Sequence, residues 1–185
     1  MPVPPGQPVM ECTIELRAVT PHVWRRLLVP ASVRLHKLHR IFQAAMGWED
    51  CHLHSFQVGE DCYGMQFDEY PEGELDEQNV TVVRAVGAQE RFSYEYDFGD
   101  SWEHEITVMS IARMPIGLKF AVCLDGAGAC PPEDCGGTGG YAELLRVLND
   151  PSDEDYEDLS EWVGGQIDPH EFDLALVNAR LQTVH

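Results

Sequence analysis

Residues 91–112, RFSYEYDFGDSWEHEITVMSIA, read as two strands joined near Gly99-Asp100, and their alternation decides the fold class. Phe92, Tyr94 and Tyr96 fall on one side of the first arm because successive strand side chains point to opposite faces. A two-residue Gly99-Asp100 turn would set Tyr96 against Glu103 and Tyr94 against Glu105, mixing apolar with acidic groups. A three-residue loop, Gly99-Asp100-Ser101, predicts Phe98 opposite Trp102, Tyr96 opposite His104, Tyr94 opposite Ile106 and Phe92 opposite Val108. That register gives one continuous core face. It also sets Asp97 opposite Glu103 and Glu95 opposite Glu105, and like charges directly across a sheet destabilise it. Solvation and intramolecular arginines, a divalent cation, or a basic partner can each compensate.

Upstream, residues 12–19 alternate and residues 23–29 form a second strand after Thr20-Pro21, an expected hairpin. Leu35, Leu38, Phe42 and Ala45 then recur at helical spacing from a Ser32 cap to a Gly47 stop. A strand over 52–58 places His52, His54, Phe56 and Val58 on one side. Residues 66–79 are acidic, with proline and glycine, and read as a surface loop. Downstream come a short strand over 120–124 and a Gly/Pro-rich segment, CLDGAGACPPEDCGGTGGY. Helices are expected over 141–148, 153–163 and 170–181, the last after an Asp168 cap. The expected fold is α+β: a mostly antiparallel sheet with one helix after the first hairpin and C-terminal helices packed on it. Residues 1–10 read as a flexible N-terminal segment and 11–185 as a single domain.

A chain of 185 residues is long enough to bury about 70% of the surface its unfolded form exposes. No apolar run approaches a membrane span and the first ten residues lack a secretory pattern, so a cytoplasmic setting is expected, with six cysteines as thiols or metal ligands. The net charge of −20 repels nucleic acid and anionic membranes at long range. It is uneven: residues 1–48 hold six basic residues against Glu11 and Glu15. Arg25, Arg26, Arg34, Lys37 and Arg40 are therefore candidate phosphate contacts, unless they neutralise the acidic remainder of the same fold.

Cys123, Cys130 and Cys135 form a C-x6-C-x4-C pattern whose thiolates can wrap a zinc ion, with His104, His52 or His54 as fourth ligand. Without metal they are small loop residues, and a depressed Cys130 thiol is opposed by Glu133 and Asp134 next to it. Cys51, His52 and His54 make a second cluster able to share a metal or to sit in the core rim. His104 reads as a hydrogen-bonded core histidine. Gly137-Thr138-Gly139-Gly140 imitates a dinucleotide fingerprint but follows no buried strand, and Asp97-Phe98-Gly99 lacks every other kinase signature. No motif specifies an enzyme.

In combination and order, several segments resemble the plasmid pRiA4b ORF-3-like family, some of whose members carry transposon passenger or resolvase labels. They are Ile14-Glu15-Leu16, Pro21 to Arg26, Leu38-His39 to Trp48, His52 to Phe56, Tyr96 to His104, Cys130 to Gly137 with Tyr141, and Asp168 to Asp173. The resemblance spans about Met10 to Leu181. It implies an α+β fold, a bacterial or archaeal cytoplasm, and association of some relatives with mobile elements, without implying a reaction. Its residues place a candidate binding site at His52, His54, Asp97, Asp100, Trp102, His104, Glu133 and Asp134, near strand ends and loops. The expectation is an acidic binding or interaction module, with structural zinc on Cys123, Cys130, Cys135 and His104 as its cofactor, and a protein partner favoured over nucleic acid. The alternatives are a nucleic-acid-associated accessory of a mobile element and a metal-dependent hydrolase using His52, His54, Asp97 and Asp100. All share one spatial expectation: the Gly/Pro segment folds over the strand tips.

Overall fold

The alternating pattern of residues 91–112 becomes two strands at the middle of a sheet in the computed structural model, which describes residues 6–65, 75–114 and 118–184. In chain order the elements are β1 (Gln7–Leu16), β2 (Trp24–Pro30), α1 (Leu35–Met46), β3 (His54–Val58), β4 (Asp61–Gly64), β5 (Leu75–Asp76) and α2 (Val82–Val86). They continue as β6 (Arg91–Tyr96), β7 (Trp102–Met114), β8 (Val122–Ala127), α3 (Gly137–Leu148), α4 (Tyr156–Trp162) and α5 (Leu174–Leu181). The described strands form one sheet in the order β5-β4-β3-β6-β7-β1-β2-β8, antiparallel except where β4 meets β5, so the fold is α+β.

One sheet face is apolar because the strand alternation is kept across it. Ile14, Leu16, Leu27, Val29, Phe56, Tyr94, Trp102 and Ile106 are all buried there. The stripe of α1 packs on this face, and Leu35, Leu38, Phe42 and Ala45 are buried as their spacing predicts. Phe42 meets Tyr94 edge-on, with ring centroids 5.4 Å apart. Burial of such a phenylalanine contributes about 1.5–3 kcal/mol. Gly47 ends α1 in the left-handed conformation, as expected. Beyond the sheet, α5 is tied to β8 by Asn178, whose side chain accepts from the Cys123 N–H and donates to the Cys123 carbonyl. Among the described residues no helix is long and apolar enough to cross a membrane.

Several expectations require correction. The β6–β7 register pairs Tyr96 with Trp102, Tyr94 with His104 and Phe92 with Ile106, two residues away from the expected pairing. A five-residue connection, Asp97 to Ser101, replaces the three-residue loop. Both of its ends adopt positive φ, Asp97 at 57° and Ser101 at 53°, and Asp97 is drawn off the strand by donating its N–H to the Leu53 carbonyl. Phe98 is consequently 49% exposed while Asp97 is 7% exposed. The cap of α1 is Arg34 without a side-chain bond, because Ser32 instead accepts from Gln7. Asp173, not Asp168, caps α5 by accepting from Ala175 N and Leu176 N. Asp168 closes a local turn onto His170 N. Residues 7–10, expected to be flexible, run in β1. Of the acidic 66–79 segment, 66–74 lie outside the described residues, as do residues 1–5.

Candidate metal centre

Four of the eight expected binding residues meet where the Gly/Pro segment crosses the ends of β3 and β6. The segment is fixed there by Trp48, whose Nε1 donates to the Pro131 carbonyl at 3.1 Å. Glu133 follows two residues later, and its Oε1 accepts from the Glu49 N–H at 2.9 Å and from the Tyr96 hydroxyl at 3.1 Å. Tyr96 in turn accepts from Cys51 N–H. Burial, then its bond to Cys51, push the Tyr96 hydroxyl up, so it remains a donor. These bonds orient Glu133 Oε2 toward His52 Nε2, 3.8 Å away.

Asp97 and Asp134 approach the same nitrogen. The backbone of Asp97 is held by Leu53 and its Oδ1 accepts from Gly99 N, which leaves Oδ2 facing His52 Nε2 at 3.7 Å. Asp134, also at positive φ, brings Oδ1 to 3.3 Å. Cys51 Sγ lies in a donor group with His52 and Glu133, while His52, Asp97 and Asp134 form a second group that shares the imidazole. Three carboxylates thus surround one imidazole nitrogen, all at distances longer than a good hydrogen bond. Both His52 Nε2 and Glu133 Oε2 are buried without a hydrogen-bond partner. Two ligands at the tetrahedral angle on bonds of about 2.1 Å lie about 3.4 Å apart. Within each of the two groups the separations are therefore those of donors that can share one ion at His52.

The other expected residues are placed elsewhere. His54 faces inward, 2.8 Å from buried Glu77, and stacks on His39 at 3.4 Å. His39 continues to Tyr94 and Asp50, and burial, then the neighbouring His54, lower its pKa to about 4. Asp100 joins the hairpin tip to the start of α3 by accepting from Gly136 N. Trp102 is fully buried, 6.0 Å from Trp48. His104 is a core residue, its Nδ1 against the Tyr94 carbonyl, as its sequence position suggests.

The cysteine set does not gather. Cys123 stays on β8 with its thiol donating to the Asp125 carbonyl, and His104 lies within the core. Cys123, Cys130 and Cys135 do not appear together in any metal-compatible group among the described residues. Burial pushes Cys135 up to about 12 and raises Cys130 well above its usual range, the reverse of a depressed thiol. The basic candidates are also divided. Arg25 is 3% exposed and donates to four backbone carbonyls, so it is not on a surface that a nucleic-acid backbone could meet. Arg26 pairs with Glu11, while Arg34 and Arg40 are exposed and Lys37 half-buried along α1. Sequence reasoning took Tyr96 only as a core-face residue at the start of a family segment and placed Glu77 in a surface loop, whereas Glu77 is buried against His54 and Tyr96 bonds Glu133; both act through residues distant in sequence.

Comparison with known proteins places this chain among relatives. A family model for the plasmid pRiA4b ORF-3-like protein matches residues 8–176. The uncharacterized protein y4hQ of Sinorhizobium fredii (strain NBRC 101917 / NGR234) is 38% identical over 173 residues, covering 92% of this chain and 86% of its own. A crystal structure of a protein of unknown function, MM3350 from Methanosarcina mazei Go1, superposes with a TM-score of 0.83 at 33% identity, covering 92% of this chain and 97% of that one.

Proposed function

The chain belongs to the plasmid pRiA4b ORF-3-like family, and within that fold we propose that it is a binding module organised around one divalent cation on His52, which shares one donor group with Cys51 and Glu133 and another with Asp97 and Asp134. One observation carries this reading: two buried donor atoms, His52 Nε2 and Glu133 Oε2, face each other with no hydrogen-bond partner. Leaving such groups unsatisfied costs about 1–3 kcal/mol each, and a cation between them removes that cost. Imidazole and carboxylates, with the Cys51 thiol in reach, suit zinc better than magnesium or calcium. The ion would fasten the loop at Glu133 and Asp134 to the ends of β3 and β6. A protein partner suits a chain of net charge −20 better than nucleic acid does.

The test is calorimetric titration of the metal-stripped full chain with zinc. One ion per chain is expected, with affinity reduced about 100-fold or more in His52→Ala, since even outer-shell partners are worth 10–100-fold. Cys130→Ser, conversely, retains full binding. Absence of stoichiometric binding, or equal binding by His52→Ala, overturns the assignment. A hydrolytic use of the ion is the second reading, favoured by Asp134, whose side chain is 72% exposed and leaves that side of the site open to water. Esterase or phosphatase turnover that needs zinc and disappears in His52→Ala would support it.

A further inference from the structure

A cavity of about 230 Å3 lies between the C-terminal end of α1, the loop at Ala129-Cys130 and α5, and two arginines line it. Arg25 directs its guanidinium inward. Its Nε donates to Ala45 O at 3.1 Å, Nη1 to Trp24 O and Ala127 O at 2.8 Å each, and Nη2 to Gly128 O at 2.9 Å. A guanidinium has five N–H groups, so one Nη2 hydrogen is left over. Phe172 covers the face of this group, its ring centroid 4.8 Å from Cζ. Arg180 comes from α5 and lays its guanidinium against Gly47, where an added Cβ would stand 2.6 Å from Nη1.

What is missing is a counter-charge. Arg17, Arg26, Arg91 and Arg146 each have a carboxylate within 4.0 Å, whereas among the described residues neither Arg25 nor Arg180 has one. The feature that sets this place apart is Arg25, 3% exposed without a carboxylate, with the exposed Arg180 lining the same cavity. Burial lowers the Arg25 pKa, against raising effects from Cys130 and Cys123 and with a smaller lowering effect from Arg180, and both guanidinium-bearing residues line the cavity. Glu171 and Asp173 stand at the cavity wall, but Asp173 is engaged in capping α5.

We propose that this cavity binds a small organic monocarboxylate, its oxygens taking the spare Nη2 hydrogen of Arg25 and the fork of Arg180, its apolar body resting on Met46, Phe172 and Leu176. Guanidinium forks match carboxylate geometry bidentately. The chemical class follows from two further features. A cavity below the usual ~300 Å3 of drug-sized sites admits only a short chain, and the carboxylates of Glu171 and Asp173 repel a phosphate dianion more than a single negative charge. This site is separate from the metal centre, and its lining includes neither His52 nor Asp97.

Titration of the isotope-labelled full chain with sodium butyrate, followed by nuclear magnetic resonance against sodium chloride at equal ionic strength, tests it. Saturable shifts are expected at the amides of Gly47, Ala129, Phe172 and Val177. Affinity should fall about tenfold in Arg180→Gln, the order of one charge-assisted bond, while Arg84→Gln and His52→Ala bind butyrate as the parent does. Shifts that chloride reproduces, unchanged affinity in Arg180→Gln, or tighter binding of inorganic phosphate than of butyrate would each overturn the proposal. Retained binding in His52→Ala separates this outcome from any result at the metal centre.

Discussion

His104 exposes none of its surface, places Nδ1 at 3.2 Å from the Tyr94 carbonyl and leaves Nε2 without a partner. Burial outweighs the backbone hydrogen bonds at Tyr94 and Trp102 that favour the charged ring, and lowers its pKa from 6.5 to about 4. A histidine that is harder to protonate folded than unfolded gives its full stability above the unfolded pKa. That contribution is lost as pH falls from 6.5 toward 4, because the unfolded chain takes up the proton first. The expected loss from this residue is about 2 kcal/mol by pH 5 and about 3 kcal/mol near pH 4. Urea unfolding at pH 7, 6 and 5 checks it: His104→Phe should show a shallower decline than the parent, with the remaining slope including His39. Parallel slopes for the two proteins would remove His104 from the account.

At the next scale, the β6–β7 hairpin shows which parts of this structure were legible. Alternation alone identifies its core face, and Phe92, Tyr94, Tyr96, Trp102 and Ile106 are indeed all buried. The register was not legible, because it is set by the positive φ of Asp97 and Ser101 and by a bond from Asp97 to Leu53, which no local propensity announces. The like-charge pairing survives in altered form: Glu95 faces Glu103, and Glu15 faces Glu105. Arginine compensation, one of the expected solutions, occurs at Glu105, which is held by Arg17 and Arg91. Glu103 has no such partner among the described residues, so Glu103→Lys should stabilise the protein by about 0.2–1 kcal/mol while Glu105→Lys should destabilise it. Thermal unfolding of the two variants decides this, and stabilisation by both, or by neither, would contradict the charge argument. The candidate metal centre was half legible for a related reason. His52, Asp97, Glu133 and Asp134 stand out as polar residues at turns, but their meeting depends on the long-range bond from Trp48 to Pro131. The cysteine spacing misled because a C-x6-C-x4-C pattern fixes separation along the chain and not direction, and Cys123 is committed to an edge strand.

Over the whole molecule the dominant electrostatic fact is self-repulsion. Thirty-two acidic residues face twelve basic ones, and Arg25 and Arg180 have no carboxylate within 4.0 Å among the described residues, so most carboxylates are left without a cation. The unfolded chain spreads these charges apart, and the folded one concentrates them, so the folded state suffers more. Screening by salt shortens the range of repulsion from ~30 Å at 0.01 M to ~3 Å at 1 M. Raising sodium chloride from about 0.02 to 0.5 M should therefore stabilise the protein by about 1 kcal/mol, or roughly 2–4 °C in Tm for a chain of this length. A divalent ion at the His52 centre acts on a different footing. If bound as proposed, it would offset two of the negative charges facing His52 and contribute by mass action, about 2.7 kcal/mol when its free concentration is 100 times its dissociation constant. The two effects separate in one series of melting curves. Sodium chloride should raise Tm equally in the parent and in His52→Ala, whereas micromolar zinc should raise it only in the parent. A Tm that is flat or falling with sodium chloride would mean that local pairs, and not the summed field of the acidic chain, govern its stability.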